Sequence, residues 1–190
     1  VNPRDETLLY ALAVGTIPAV ILGLSLESLM ETTFRSPLIV AGVLVAGSVF
    51  FMFAEWQYLH KPRTDDLDVK KGFKIGLFQS LALIPGMSRS GATIAGGMLL
   101  GFSRSEAARF AFLLAVPVIL GAGSKKLLEL LTTDGAVGWV SVGIGAAAAF
   151  FSGLAAIHFM LSFVRKHTLW PFIWYRIILA GFVVFVVVFG

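Results

Sequence analysis

The 190-residue chain has no cysteine, which excludes a disulfide framework and a thiolate metal site. Charge is scarce too: Asp, Glu, Lys and Arg make up 14% of the residues against 57% hydrophobic ones, and the mean hydropathy is +0.88. A water-soluble domain would need more charge on its surface, so the composition points to an integral membrane protein. Carboxylates are missing from the middle of every apolar run. The eleven acids, Asp5, Glu6, Glu27, Glu31, Glu55, Asp65, Asp66, Asp68, Glu106, Glu129 and Asp134, all fall at run ends or between runs. The net charge of +4 comes mostly from connecting segments, as the positive-inside rule expects, and calls for no nucleic-acid partner.

Apolar runs cover residues 7–24, 37–54, 109–123, 137–163 and 171–190. Their lengths predict an all-α polytopic membrane protein, a single domain over residues 1–190 with five membrane-spanning helices. Between the first two runs, Glu27, Glu31 and Arg35 stand among leucines as in an interfacial helix. The connector 55–74 holds Lys61, Arg63, Lys70, Lys71 and Lys74 and is expected in the cytoplasm. Arg4, Arg104, Arg109, Arg165 and Lys166 then fall on that side, with Lys125 and Lys126 opposite. Small residues crowd 91–101 and 143–149, where they let helices approach closely.

The most informative stretch is Pro85-Gly86-Met87-Ser88-Arg89-Ser90-Gly91-Ala92-Thr93. Arg89 is the only charge between Lys74 and Arg104, and an ionisable residue inside a membrane marks a functional site. The spacing predicts a short helix over 73–84, a break at Pro85-Gly86, and a second short helix capped by Ser90 and running to about 102. Each arm, at about 20 Å, is too short to cross a slab of about 30 Å, so the pair is expected to form one re-entrant hairpin. A guanidinium beside free amides at a helix start suits phosphate or another oxyanion, with Ser88 and Thr93 as further donors. Gln79, about two turns before the break, could face the same cavity or make an interhelical hydrogen bond.

The remaining polar residues support plainer roles. Asp65-Asp66-Leu67-Asp68 lacks the glycine and terminal glutamate of a calcium loop and reads as a solvated cap for the next helix. His60, His158 and His167 are scattered and suit interfacial or packing positions. Arg176, near the start of the last run, is expected to snorkel. The residues hold an anion clamp and no metal-ligand set.

The run 76–93, followed by Phe112-Leu113-Leu114-Ala115-Val116-Pro117, resembles the bacterial undecaprenyl pyrophosphate phosphatases of the bacitracin-resistance type. Their motif Pro-Gly-x-Ser-Arg-Ser-x-x-Thr is matched at Pro85, Gly86, Ser88, Arg89, Ser90 and Thr93. Ile17-Pro18-Ala19-Val20 and Tyr175-Arg176-Ile177 extend the likeness along the chain. Lipid phosphatases related to haloperoxidases also use a Ser-Arg pair, but Ala95 stands where their histidine would be.

The resemblance implies an inverted-repeat architecture and hydrolysis of a polyprenyl diphosphate to the monophosphate, at the outer face of the bacterial cytoplasmic membrane. Ser88, Arg89 and Thr93 would be catalytic, with Gly86, Ser90, Gly91 and Gln79 binding substrate. The family's glutamate-rich motif and Ser-Ser-Thr-Gly-His-like turn are absent here. The chain also opens at Val1 without methionine, so it is expected to lack an N-terminal repeat. That repeat would bring the ligands of a divalent metal, magnesium or calcium. The implied partners are the lipid substrate, the bilayer and a second copy in a homodimer. The rival expectation is a transporter or flippase for a polyprenyl phosphate or another anion, since broken helices also bind anions in transporters.

Overall fold

The computed structural model describes residues 3–26, 29–30, 36–64, 66–132 and 138–190. Among them there are helices and no strand: α1 (Pro3–Ser25), α2 (Pro37–His60), α3 (Val69–Ser80), a 3-10 turn (Leu81–Leu83), α4 (Arg89–Leu99), α5 (Arg104–Thr132), α6 (Trp139–Lys166) and α7 (Trp170–Phe189). Five of these, α1, α2, α5, α6 and α7, are long and apolar enough to cross a membrane. The chain is an all-α polytopic membrane protein. Glu27, Glu31, Arg35, Asp65 and Asp134 lie outside the described residues, and with them the interfacial helix expected after α1.

The helices overrun the expected spans because a helix need not stop where hydrophobicity does. α2 continues to His60 and carries Glu55 inside it, buried at 2% exposure. Glu55 is therefore part of a span rather than of the connector. Asp68 caps α3, its Oδ1 accepting from the Lys71 amide at 2.6 Å, which is the capping role expected for that acidic segment.

α3 and α4 form a hairpin between the long helices. The arms run antiparallel, since Gly96 of α4 lies against Phe78 of α3, at mirror positions about the turn. α3 crosses α1 at backbone contact distance: a Cβ on Gly76 would stand 2.0 Å from the Gly15 carbonyl oxygen. Apolar side chains gain nothing from leaving lipid for one another, so close backbone approach supplies the packing instead. α2 and α7 pair, and α4 packs on both α2 and α5. Ile75, Ile94, Met98, Leu114 and Ile173 fill the core between hairpin and long helices.

One end of the molecule gathers the basic segments. The Glu55 carboxylate accepts from Arg104 through Nε at 3.0 Å and through Nη2, and from the Leu169 amide at 2.7 Å. The Thr64 amide donates to the Gly101 carbonyl at 3.1 Å, and Gln57 Nε2 to the Leu99 carbonyl at 3.0 Å. The start of α1 is at this end as well, because Ala11 meets Gly72 while Gly23 approaches Leu83.

Candidate active site at the hairpin tip

The chain turns through residues 84–88. Gly86 has φ +98°, a conformation a side chain disfavours, and it lies against the Val40 carbonyl and Val43. Val40 and Val43 are the fourth and seventh residues of α2, so at helical rise the tip sits about 5–9 Å from that end of a helix about 36 Å long. The first arm leaves the basic end and the second returns to it, at Leu99 and Gly101. The hairpin therefore reaches most of the way along α2 before doubling back.

The second arm begins earlier than the sequence predicts. Arg89 is its first residue and Ser88, not Ser90, is the N-cap, its Oγ accepting from the Gly91 amide at 3.3 Å. A cap must leave helical geometry, and Ser88 does so at φ 71° and ψ 112°, a strained position for a residue with a side chain. The first arm also shifts, starting at Val69 and ending in the 3-10 turn Leu81–Leu83.

The tip presents Ser88 and Arg89, both exposed, with Ser90 half-buried behind them. Among the described residues no carboxylate pairs with the Arg89 guanidinium. Among the described residues the Arg89 and Ser90 amides, which open α4, have no acceptor, as is usual for the first amides of a helix. The tip thus carries one fork of cationic donors and two amides that open a helix, the donor types an oxyanion takes. Gly91 sits tightly behind it, where a Cβ would come within 2.2 Å of the Phe51 ring.

Two expected site residues are placed differently. Thr93 is fully buried, and its hydroxyl donates to the Arg89 carbonyl at 2.7 Å. It braces the turn that carries Arg89. Gln79, at 2% exposure on the other arm, has neither amide atom partnered. Helix packing thus covers Gln79 and Thr93 and leaves Ser88 exposed.

Arg176 is the residue sequence reasoning missed. It does not snorkel. It is 5% exposed, with Nη1 donating to the Met87 carbonyl at 3.1 Å and Nη2 to the Leu44 carbonyl at 3.2 Å, while its guanidinium lies 4.9 Å from the Phe51 ring centre. It ties α7 and α2 to the residue before Ser88. Gly47 makes room for it. The sequence signal was an arginine in a long apolar run, the feature that singled out Arg89.

This chain matches the model of a family described as bacitracin resistance protein BacA over residues 2–182. It belongs to the BacA family. Its curated relatives include proteins named undecaprenyl-diphosphatase from Marinobacter nauticus, 39% identical over 174 residues, and from Chloroherpeton thalassium, 42% identical over 190 residues. The one from Alteromonas mediterranea is 40% identical over 177 residues. These alignments cover 92%, 94% and 93% of this chain and 66% of each relative's length. This BacA-family chain thus spans about two thirds of the length of these relatives.

Proposed function

We propose that this BacA-family chain forms part of an undecaprenyl-diphosphatase, which releases phosphate from undecaprenyl diphosphate and so recycles a cell-wall lipid carrier. The observation that carries the reading is an arginine at a helix start, on the tip of a hairpin packed among apolar helices, with no carboxylate partner among the described residues. The names of the curated relatives support the substrate and the activity.

In this reading the hairpin is re-entrant and its basic end lies in the cytoplasm. The tip then faces the outer side of a bacterial cytoplasmic membrane, and an isoprenoid tail would lie among the helices. Arg89 holds oxygens of the terminal phosphate, with the Arg89 and Ser90 amides oriented on the same group. The bond from the terminal phosphorus to the bridging oxygen breaks, the polyprenyl monophosphate leaves, and water supplies the oxygen of the released phosphate. Donors fixed beforehand at that position stabilise the charge that develops there. Ser88 Oγ would donate to a phosphate oxygen or attack phosphorus, expelling the polyprenyl monophosphate, with water then hydrolysing the phosphoserine. Gly86 shapes the turn and Gly91 lets α4 seat against Phe51. Thr93 acts as a positioning residue, and Gln79 backs the site from the first arm.

A divalent cation, magnesium or calcium, belongs to the proposal through the family resemblance alone. Among the described residues no three His, Asp or Glu side chains converge, so no step is assigned to it.

The test is phosphate release from undecaprenyl diphosphate by the membrane-inserted protein, measured beside transport of the lipid between leaflets. Phosphate release that fails when Arg89 is replaced supports the reading. Lipid movement without phosphate release would overturn it in favour of a flippase.

A further inference from the structure

The end of the molecule opposite the hairpin tip carries a cluster of cations beside a pocket, independent of the phosphatase reading. A pocket of about 210 Å³ opens between residues 57–64 and the turn at 98–102. Tyr58 and Phe102 give it aromatic walls, Lys61, Arg63 and Thr64 line its mouth, and among the described residues no acid contributes to its lining.

The charges there are unevenly satisfied. Arg104 lies over the Tyr58 ring at 4.0 Å and is neutralised by Glu55. Arg63 lies over the same ring at 4.5 Å, and among the described residues no carboxylate pairs with it or with Lys61. A guanidinium stacked on an aromatic ring keeps its N–H edge free for phosphate oxygens. Lys71 adds a third cation at the rim, its Nζ donating to Thr64 Oγ1 at 3.2 Å.

Depth identifies the occupant. The turn of α2 that supplies Gln57, Tyr58 and Lys61 also exposes Trp56 and Leu59, the pattern of an interface between hydrocarbon and headgroups. The positive-inside rule requires only that cations be present at this level. It does not require a pocket walled by two aromatic rings beside them.

We propose that this pocket binds the phosphate headgroup of an anionic phospholipid in the adjacent leaflet. A bound headgroup would bridge the end of α2, the connector and the α4–α5 turn, three segments now joined by a few hydrogen bonds.

The experiment measures lipid binding by native mass spectrometry and thermal unfolding of the protein in phosphatidylcholine nanodiscs, titrated with phosphatidylglycerol. Phosphatidylglycerol should raise the unfolding temperature where added phosphatidylcholine does not. The double variant Lys61→Gln/Arg63→Gln should bind it about 30-fold more weakly, equivalent to about 1 kcal/mol for each lost cation. Lys125→Gln/Lys126→Gln, with the same loss of charge elsewhere, should leave binding unchanged. If the double variant is unstable without lipid, Lys61→Gln alone is read against Lys126→Gln. Equal binding by the pocket and control variants would overturn the proposal. So would equal stabilisation by inorganic phosphate, which would make the pocket a site for free anions.

Discussion

Replacing Gly47 by alanine sets two effects of opposite sign against each other. In a helix interior the change should stabilise by about 1 kcal/mol. The Cβ, however, would stand 2.2 Å from Arg176 Nη2, 3.1 Å from its Cζ and 3.0 Å from Met87 Sδ. An exposed arginine would swing away, but this one is buried and holds the Met87 and Leu44 carbonyls. Displacing it leaves buried polar groups unpaired at roughly 1–3 kcal/mol, and overpacking adds a similar amount. The clash should win, with a net loss of about 2 kcal/mol in thermal unfolding. Because Met87 immediately precedes Ser88, turnover in phosphate release should also fall, by about 100-fold if the tip moves by about 1 Å. Gly42→Ala on the same helix is the control, since a Cβ there meets no atom within 4 Å; it should be neutral or slightly stabilising. If Gly47→Ala proved as stable and active as Gly42→Ala, the account of Arg176 as a strut would be wrong.

Arg89→Lys should lower turnover by about 100-fold to 1,000-fold with little change in unfolding temperature, because an ammonium cannot reproduce the fork of donors; near wild-type phosphate release would make Arg89 structural. Glu55→Gln should destabilise the protein by about 3–5 kcal/mol, since it leaves the largely buried Arg104 without its counter-charge. The double change Glu55→Gln/Arg104→Gln should recover much of that loss, and thermal unfolding of the three proteins would show no such recovery if the pair merely decorates the surface.

How much of this was legible in the sequence depends on the range of the interaction involved. Five apolar runs give five long helices because the bilayer sets a length and a backbone in lipid must satisfy its own hydrogen bonds. The break at Pro85-Gly86 and the short arms follow from local backbone chemistry in the same way. Arg89 stood out because a charge in an apolar run is expensive wherever the run packs. Helix ends were less legible: Ser88 and Ser90 are equally good caps by type, and the strained turn at residues 84–88 decides between them.

Side-chain partners were decided by tertiary structure. Glu55 reads as a loop acid until α2 extends past it and brings Arg104 and the Leu169 amide to its carboxylate, residues 49 and 114 positions away. Arg176 reads as a snorkelling residue until α7 pairs with α2 and turns it inward. Thr93 and Gln79 have the polarity of site residues, yet packing of the hairpin buries both. Sequence pattern determined which segments enter the apolar slab and where a charge must have a purpose. Which polar groups meet there depended on helix pairings set by close backbone contacts: Gly72 and Gly76 meet Ala11 and Gly15, small residues four apart on each helix that mark a packing face without naming its partner.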